Sequence, residues 1–166
     1  MIDKTDVLVE IAQFQKVYDV DNAEQNKSIA LNIYDQIDRF IDGTEPSAKE
    51  IAEVTVAMNN EIQVRDFVLG LPKERDIQFV GSWAAFVGRV TPTEFAAPIA
   101  TIMSSLYYSV GDKEEATRYL GLAYASDPTY SLAKLLDRVY QAGWESQGFE
   151  SMRNELHDQV KANLGI

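Results

Sequence analysis

The sequence predicts an all-α fold, a compact helical bundle of about seven to nine helices. Three observations predict it. Apolar residues recur three and four apart along most of the chain. Helix-start and helix-stop residues punctuate that pattern at short intervals. No segment alternates with period two for long, and Ile77-Gln78-Phe79-Val80 is too short to argue for a sheet.

Taken in order, Val7, Leu8, Ile11, Phe14, Val17 and Tyr18 form the first stripe, and Ile29, Ile33, Ile37, Phe40 and Ile41 the second. Asp21-Asn22 supplies turn or cap oxygens between them. Gly43 and Pro46 stop the second helix, so residues 1–43 are expected to form an N-terminal helical hairpin, apart from a core domain at 47–166. Its stripe over residues 5–41 suits packing on that core, or a homodimer formed through it.

Ser47-Ala48-Lys49-Glu50 reads as a capping box. Ile51, Val54 and Met58 carry the next stripe. Asn59-Asn60 either breaks this helix or is carried through it, and Glu61 to Leu69 is expected to be helical up to Gly70-Leu71-Pro72. From Arg75 to Val90, Ile77, Phe79, Val80, Trp83, Phe86 and Val87 fall on more than one face, which predicts a central, buried helix. Pro92 and Pro98 predict a short turn at 92–96 and a fresh helix from about Pro98 to Ser109.

Gly111 suits the position just past a helix, and Asp112-Lys113-Glu114-Glu115 reads as a further capping box. Ala116, Leu120 and Ala123 share one face of the next helix, so residues 97–130 are expected to form two closely packed antiparallel helices. Helices at 131–142 and 150–163 complete the chain, with the lone His157 expected on the polar side of the last.

The 166 residues suffice for one domain with a real core. Apolar residues make up 46% and charged ones 25%, and no apolar run approaches a membrane span. The N-terminus lacks the pattern of a signal peptide, and there is no cysteine, so a cytoplasmic protein is expected. A net charge of −11 disfavours direct binding to nucleic acid or anionic lipid.

Tyr107, Gly111, Ala116, Leu120, Ala123 and Pro128 occupy the places of a tetratricopeptide repeat, with no second copy in the chain. Over a longer span, Val64-Arg65-Asp66, Pro98, Gly111-Asp112, Ala116, Leu120, Ala123, Asp127-Pro128, Tyr130 to Ala133, Leu135-Leu136 and Ala142-Gly143 resemble the C-terminal half of an actinobacterial family, domain of unknown function four-one-nine-two. The helical residues 1–58 stand outside that resemblance. It implies an actinobacterial or phage source and assigns no activity.

Catalytic, cofactor and metal sites are not expected. His157 has no clustered ligands around it, no Gly-rich phosphate cradle is present, and Asp35, Asp38 and Asp42 read as a solvated helical face. Arg65-Asp66 lies among apolar residues. It is either a clamp reaching Asp112 or Asp127, or a site for a ligand carboxylate or peptide. Tyr108 and Tyr119 fall off the hairpin's internal face and are expected to be exposed. Trp144 joins them as a candidate contact residue.

The expected function is therefore a non-enzymatic module that binds a partner peptide or helix through Arg65, Asp66, Tyr108, Tyr119 and Trp144. The alternative is an acidic inhibitor that mimics nucleic acid. An enzyme would require a deep pocket collecting Arg65, Asp66 and further polar groups.

Overall fold

The computed structural model describes residues 3–166; side chains at positions 78, 79, 85 and 86 are not described, so the expectations for Phe79 and Phe86 lie outside it. The described chain is all-α. Its helices are α1 (Lys4–Gln15), α2 (Ala23–Ile41), α3 (Ala48–Asn60), α4 (Ile62–Gly70), α5 (Ile77–Val87), α6 (Ala96–Ser109), α7 (Lys113–Ser126), α8 (Ser131–Gln141), α9 (Ser146–Asn154) and α10 (His157–Leu164). Short 3₁₀ turns at Leu71–Lys73 and Gly88–Val90 follow α4 and α5.

The ends of these helices follow local chemistry. Asn22 caps α2 by accepting from the Gln25 amide. Ser47 and Glu50 form the reciprocal capping box of α3. Asn59 and Asn60 bond back to the carbonyls of Thr55 and Val56 and stay in α3. Glu61 then breaks the run and caps α4, accepting from the Gln63 amide at 2.8 Å. Pro98 sits in the first turn of α6, where its missing amide costs nothing, so the helix begins two residues before it.

Gly111 reverses the chain between α6 and α7. Its φ of +82° lets its own amide reach the Tyr108 carbonyl and the Asp112 amide reach that of Tyr107. Asp112 caps α7 by accepting from the Glu115 amide. The expected return bond is not made, because the Glu115 carboxylate pairs with Arg118 instead.

α6 is the axis of the molecule, with all but one of its 14 residues buried. Ile99, Ile102, Met103 and Leu106 join the larger apolar cluster, while Ala100 and Tyr108 join a smaller one with α7, α8 and α9. α7 lies along α6, where Ala116 and Ala123, both fully buried, allow the approach. Ser104 Oγ donates to the Ala116 carbonyl at 2.6 Å and lies 3.0 Å from the Tyr140 hydroxyl, joining α6, α7 and α8 at one point.

The N-terminal stripes enter the same core. α1 lies along α3, and α2 contacts α3, α5 and α10. Val7, Ile11, Ile33 and Ile37 are essentially unexposed in one cluster with Ile51, Phe67 and Trp83. The Trp83 indole donates to Gln36 Oε1 at 3.2 Å. No described helix is long and apolar enough to cross a membrane.

Candidate functional site

α4, α8, α9 and α10 enclose a cavity of about 210 Å³. Leu132, Leu135 and Leu136 of α8 form one wall, Phe149 and Met152 of α9 a second, and Leu69 and Val160 close it from α4 and α10. Four polar side chains line the same space: Arg65, Asp66, Arg153 and His157.

Arg65 and Asp66 are adjacent on α4. Arg65 donates to Asp66 Oδ1 from Nε at 2.9 Å, and its Nη2 lies 2.7 Å from the same oxygen as an ion pair. The expected reach to Asp112 or Asp127 does not occur; Arg65 pairs with its neighbour instead. Asp112 caps α7, and Asp127 accepts from the amide and hydroxyl of Thr129. The Tyr130 hydroxyl is buried beside Arg65, whose charge offsets part of the upward pKa shift that burial imposes on the phenol.

Arg153 is only 7% exposed. Its Nη1 donates to Ser109 Oγ, its Nε lies 3.3 Å from Asn154 Oδ1, and its guanidinium stands over the Phe149 ring at 5.6 Å. Burial pulls its pKa down to about 10, with Glu150 and Tyr140 offsetting part of the shift.

His157 is 1% exposed, which corrects the expectation of a surface histidine. Its Nε2 lies 2.9 Å from Glu74 Oε2, its ring stacks on Phe67 at 5.8 Å between centroids, and its Nδ1 is buried without a hydrogen-bond partner. Glu74 also accepts from Lys161 at 2.6 Å and from the Tyr34 hydroxyl at 2.6 Å. Partial burial opposes its ionisation, but the hydrogen bonds from Lys161, Tyr34 and His157 outweigh that and hold it at about 2.

The aromatic candidates separate. Tyr108 is 1% exposed, not a surface residue: it stacks on Tyr140 at 4.1 Å and meets Phe149 edge-on at 5.0 Å. Its hydroxyl donates to the Trp144 carbonyl. Tyr119 is half-buried, stacked on Tyr107 at 5.4 Å with Arg118 over its ring. Trp144 is 42% exposed but lines no described cavity. Of the five expected contact residues, then, only Arg65 and Asp66 meet at the cavity, with Tyr108 behind its Phe149 wall.

Arg153 and His157 are the residues that sequence reasoning missed. A signal was present: both fall within the stripe Phe149, Met152, Leu156, Val160 and Leu164, where apolar side chains are expected. A second cavity, about 330 Å³, lies between α5 and α6 and is lined by Ile77, Met103, Leu106, Tyr107 and Val110 without a charged group. Among the described residues, no group of three or more His, Asp or Glu side chains could hold a metal ion.

The model of one family, described as a domain of unknown function (DUF4192), matches residues 9–147. That is most of the chain, and the chain belongs to this family. The match extends well beyond the C-terminal half in which the resemblance was first legible and takes in most of residues 1–58. No curated protein and no solved structure matches the chain.

Proposed function

We propose that this family member is a non-enzymatic protein-interaction module that holds an apolar segment of a partner peptide in the cavity between α4, α8, α9 and α10. One observation carries the reading. Leu135 and Leu156 line the cavity yet are 46% and 65% exposed, so its rim is apolar surface that folding leaves uncovered. Fully burying an exposed leucine yields about 1.5–3 kcal/mol, and roughly half of that remains to be gained at each of these two. Arg65 and Asp66 supply the few polar contacts that orient a ligand in an otherwise apolar site. In this reading the tetratricopeptide-like pair α6–α7 is scaffold, backing the cavity through Tyr108 and Phe149.

The test is selection from a random peptide library displayed with free C-termini, followed by binding to Leu135→Asp and Leu156→Asp. The reading expects recovered peptides to lose at least about tenfold in affinity on each variant. Recovery of no peptide, or of peptides indifferent to both substitutions, contradicts it.

An enzyme is the second reading, favoured by the meeting of Arg65, Asp66, Arg153 and His157 in one cavity. The lining holds no Ser, Thr, Cys or Lys, so Asp66 or His157 would have to act on the ligand. Mass spectrometry of a recovered peptide incubated with the protein separates the two. An intact peptide supports the interaction module; a modified one that His157→Asn leaves intact supports the enzyme.

A further inference from the structure

The polar lining of the α4–α8–α9–α10 cavity is not balanced. Arg65 is neutralised by Asp66 through one hydrogen bond and an ion-pair contact to the same oxygen. His157 is committed to Glu74 through Nε2. Arg153 has no carboxylate in ion-pair contact among the described residues. Glu150, one turn earlier on α9, contributes favourable charge without pairing. Of the Arg153 nitrogens, Nη1 is held by Ser109 and Nε lies near Asn154, while Nη2 has no described partner.

Ser109 is the last residue of α6, so the negative end of that helix offsets part of the charge. The remainder is a largely buried guanidinium beside Phe149, without a carboxylate partner, an arrangement that folding alone disfavours. A guanidinium is also the side chain best matched to a carboxylate, since two of its N–H groups can meet the two oxygens.

The rest of the cavity limits what accompanies that carboxylate. Its walls are leucine, methionine and phenylalanine, so the attached group is apolar. Its volume of about 210 Å³ is below the range of about 300–1,000 Å³ for pockets that enclose drug-sized ligands, which suits one terminal residue better than an extended segment.

We propose that Arg153 seats the free C-terminal carboxylate of a partner peptide whose last side chain is apolar and fills the cavity. This rests on the pocket reading above and names the chemistry it takes. Leu135 and Leu156 cover the stem of the terminal side chain at the rim, and the peptide leaves the site past them.

The test titrates four probes into the ¹⁵N-labelled full chain and follows the Arg153 side-chain Nε–H signal in the wild type and the backbone amide signals of α9 in both the wild type and Arg153→Met. The probes are acetyl-Gly-Ser-Gly-Ser-Leu with a free carboxylate, the same peptide as its amide, hexanoate and hexylamine. The proposal expects saturable shifts with the free-acid peptide and hexanoate, and at least about tenfold weaker binding of both to Arg153→Met. The amide and hexylamine should leave the signal unmoved.

Equal response to acid and amide overturns the carboxylate seat while leaving an apolar peptide pocket standing. Response to hexanoate but not to the free-acid peptide supports the seat and overturns the peptide reading. No response to any probe overturns both. Should Arg153→Met fail to fold, the acid–amide comparison on the wild type decides alone.

Discussion

Gly70 and His157 are packed so closely that position 70 has no room for a side chain. A Cβ built on Gly70 would stand 2.8 Å from Cγ of His157 and closer still to Nδ1. The glycine is thus what lets α4 and α10 touch and the imidazole reach Glu74. Gly70→Ala is expected to cost about 1–3 kcal/mol, because the ring is fixed by Phe67 and Glu74 and cannot give way freely. Gly121 is the control: a Cβ there meets nothing within 4 Å, in the middle of α7. Gly121→Ala is expected to stabilise by about 0.5–1 kcal/mol. Urea denaturation of both variants checks the pair; equal effects would contradict the contact.

Glu74 joins the segment after α4 to α2 and α10, through Tyr34, His157 and Lys161. Its folded pKa of about 2 lies below the ordinary carboxylate value of 4.5. The unfolded chain therefore binds the proton more readily, and stability rises with pH across this window. The Glu74 contribution is complete above about pH 4.5 and is lost as pH falls toward about 2. Glu74→Gln is expected to lose about 1–3 kcal/mol at neutral pH and to flatten the stability profile between those limits. Parallel wild-type and variant profiles would contradict the assignment.

Arg153 lies on the opposite side of the ledger. If its charge serves a ligand, its removal should not hurt the fold. Arg153→Met keeps the volume and apolar stem, and Ser109 Oγ still donates to the Ser105 carbonyl. Stability is expected to stay within about 1 kcal/mol of wild type or to rise. A loss above about 3 kcal/mol in chemical denaturation would make Arg153 a structural clamp between α9 and α6.

Gly111→Ala tests the α6–α7 reversal. At φ +82° an added Cβ meets no neighbour, so the expected cost, about 1 kcal/mol, comes from backbone strain alone. An unchanged thermal midpoint would contradict that backbone geometry.

Much of this fold was legible because its signals are local. Gly43 and Gly111 at positive φ and the Ser47–Glu50 box each depend on a few neighbouring residues. The burial of Tyr108 was not legible. The spacing puts it off the hairpin's internal face and exposed, but Tyr140 of α8 and Phe149 of α9 pack on it, and it joins one buried cluster with Ala116, Leu120 and Ala123. One hairpin's sequence does not say what packs on its back. The same holds at the cavity. Arg65-Asp66 reads as charge among apolar residues, whereas one helix over 150–163 with His157 on its polar side gives no sign of a break before that residue. The chain breaks at Glu155-Leu156, and α10 restarts with His157 turned under Gly70.

The methionine methyl groups offer the most direct measurement of where a ligand binds. Met152 lines the charged cavity, Met103 lines the uncharged one between α5 and α6, and Met58 sits in the main core. With methyl-labelled protein and the free-acid peptide ending in leucine, the Met152 signal is expected to shift saturably while those of Met103 and Met58 stay in place. A shift confined to Met103, or no shift at Met152 at saturating peptide, would contradict the account.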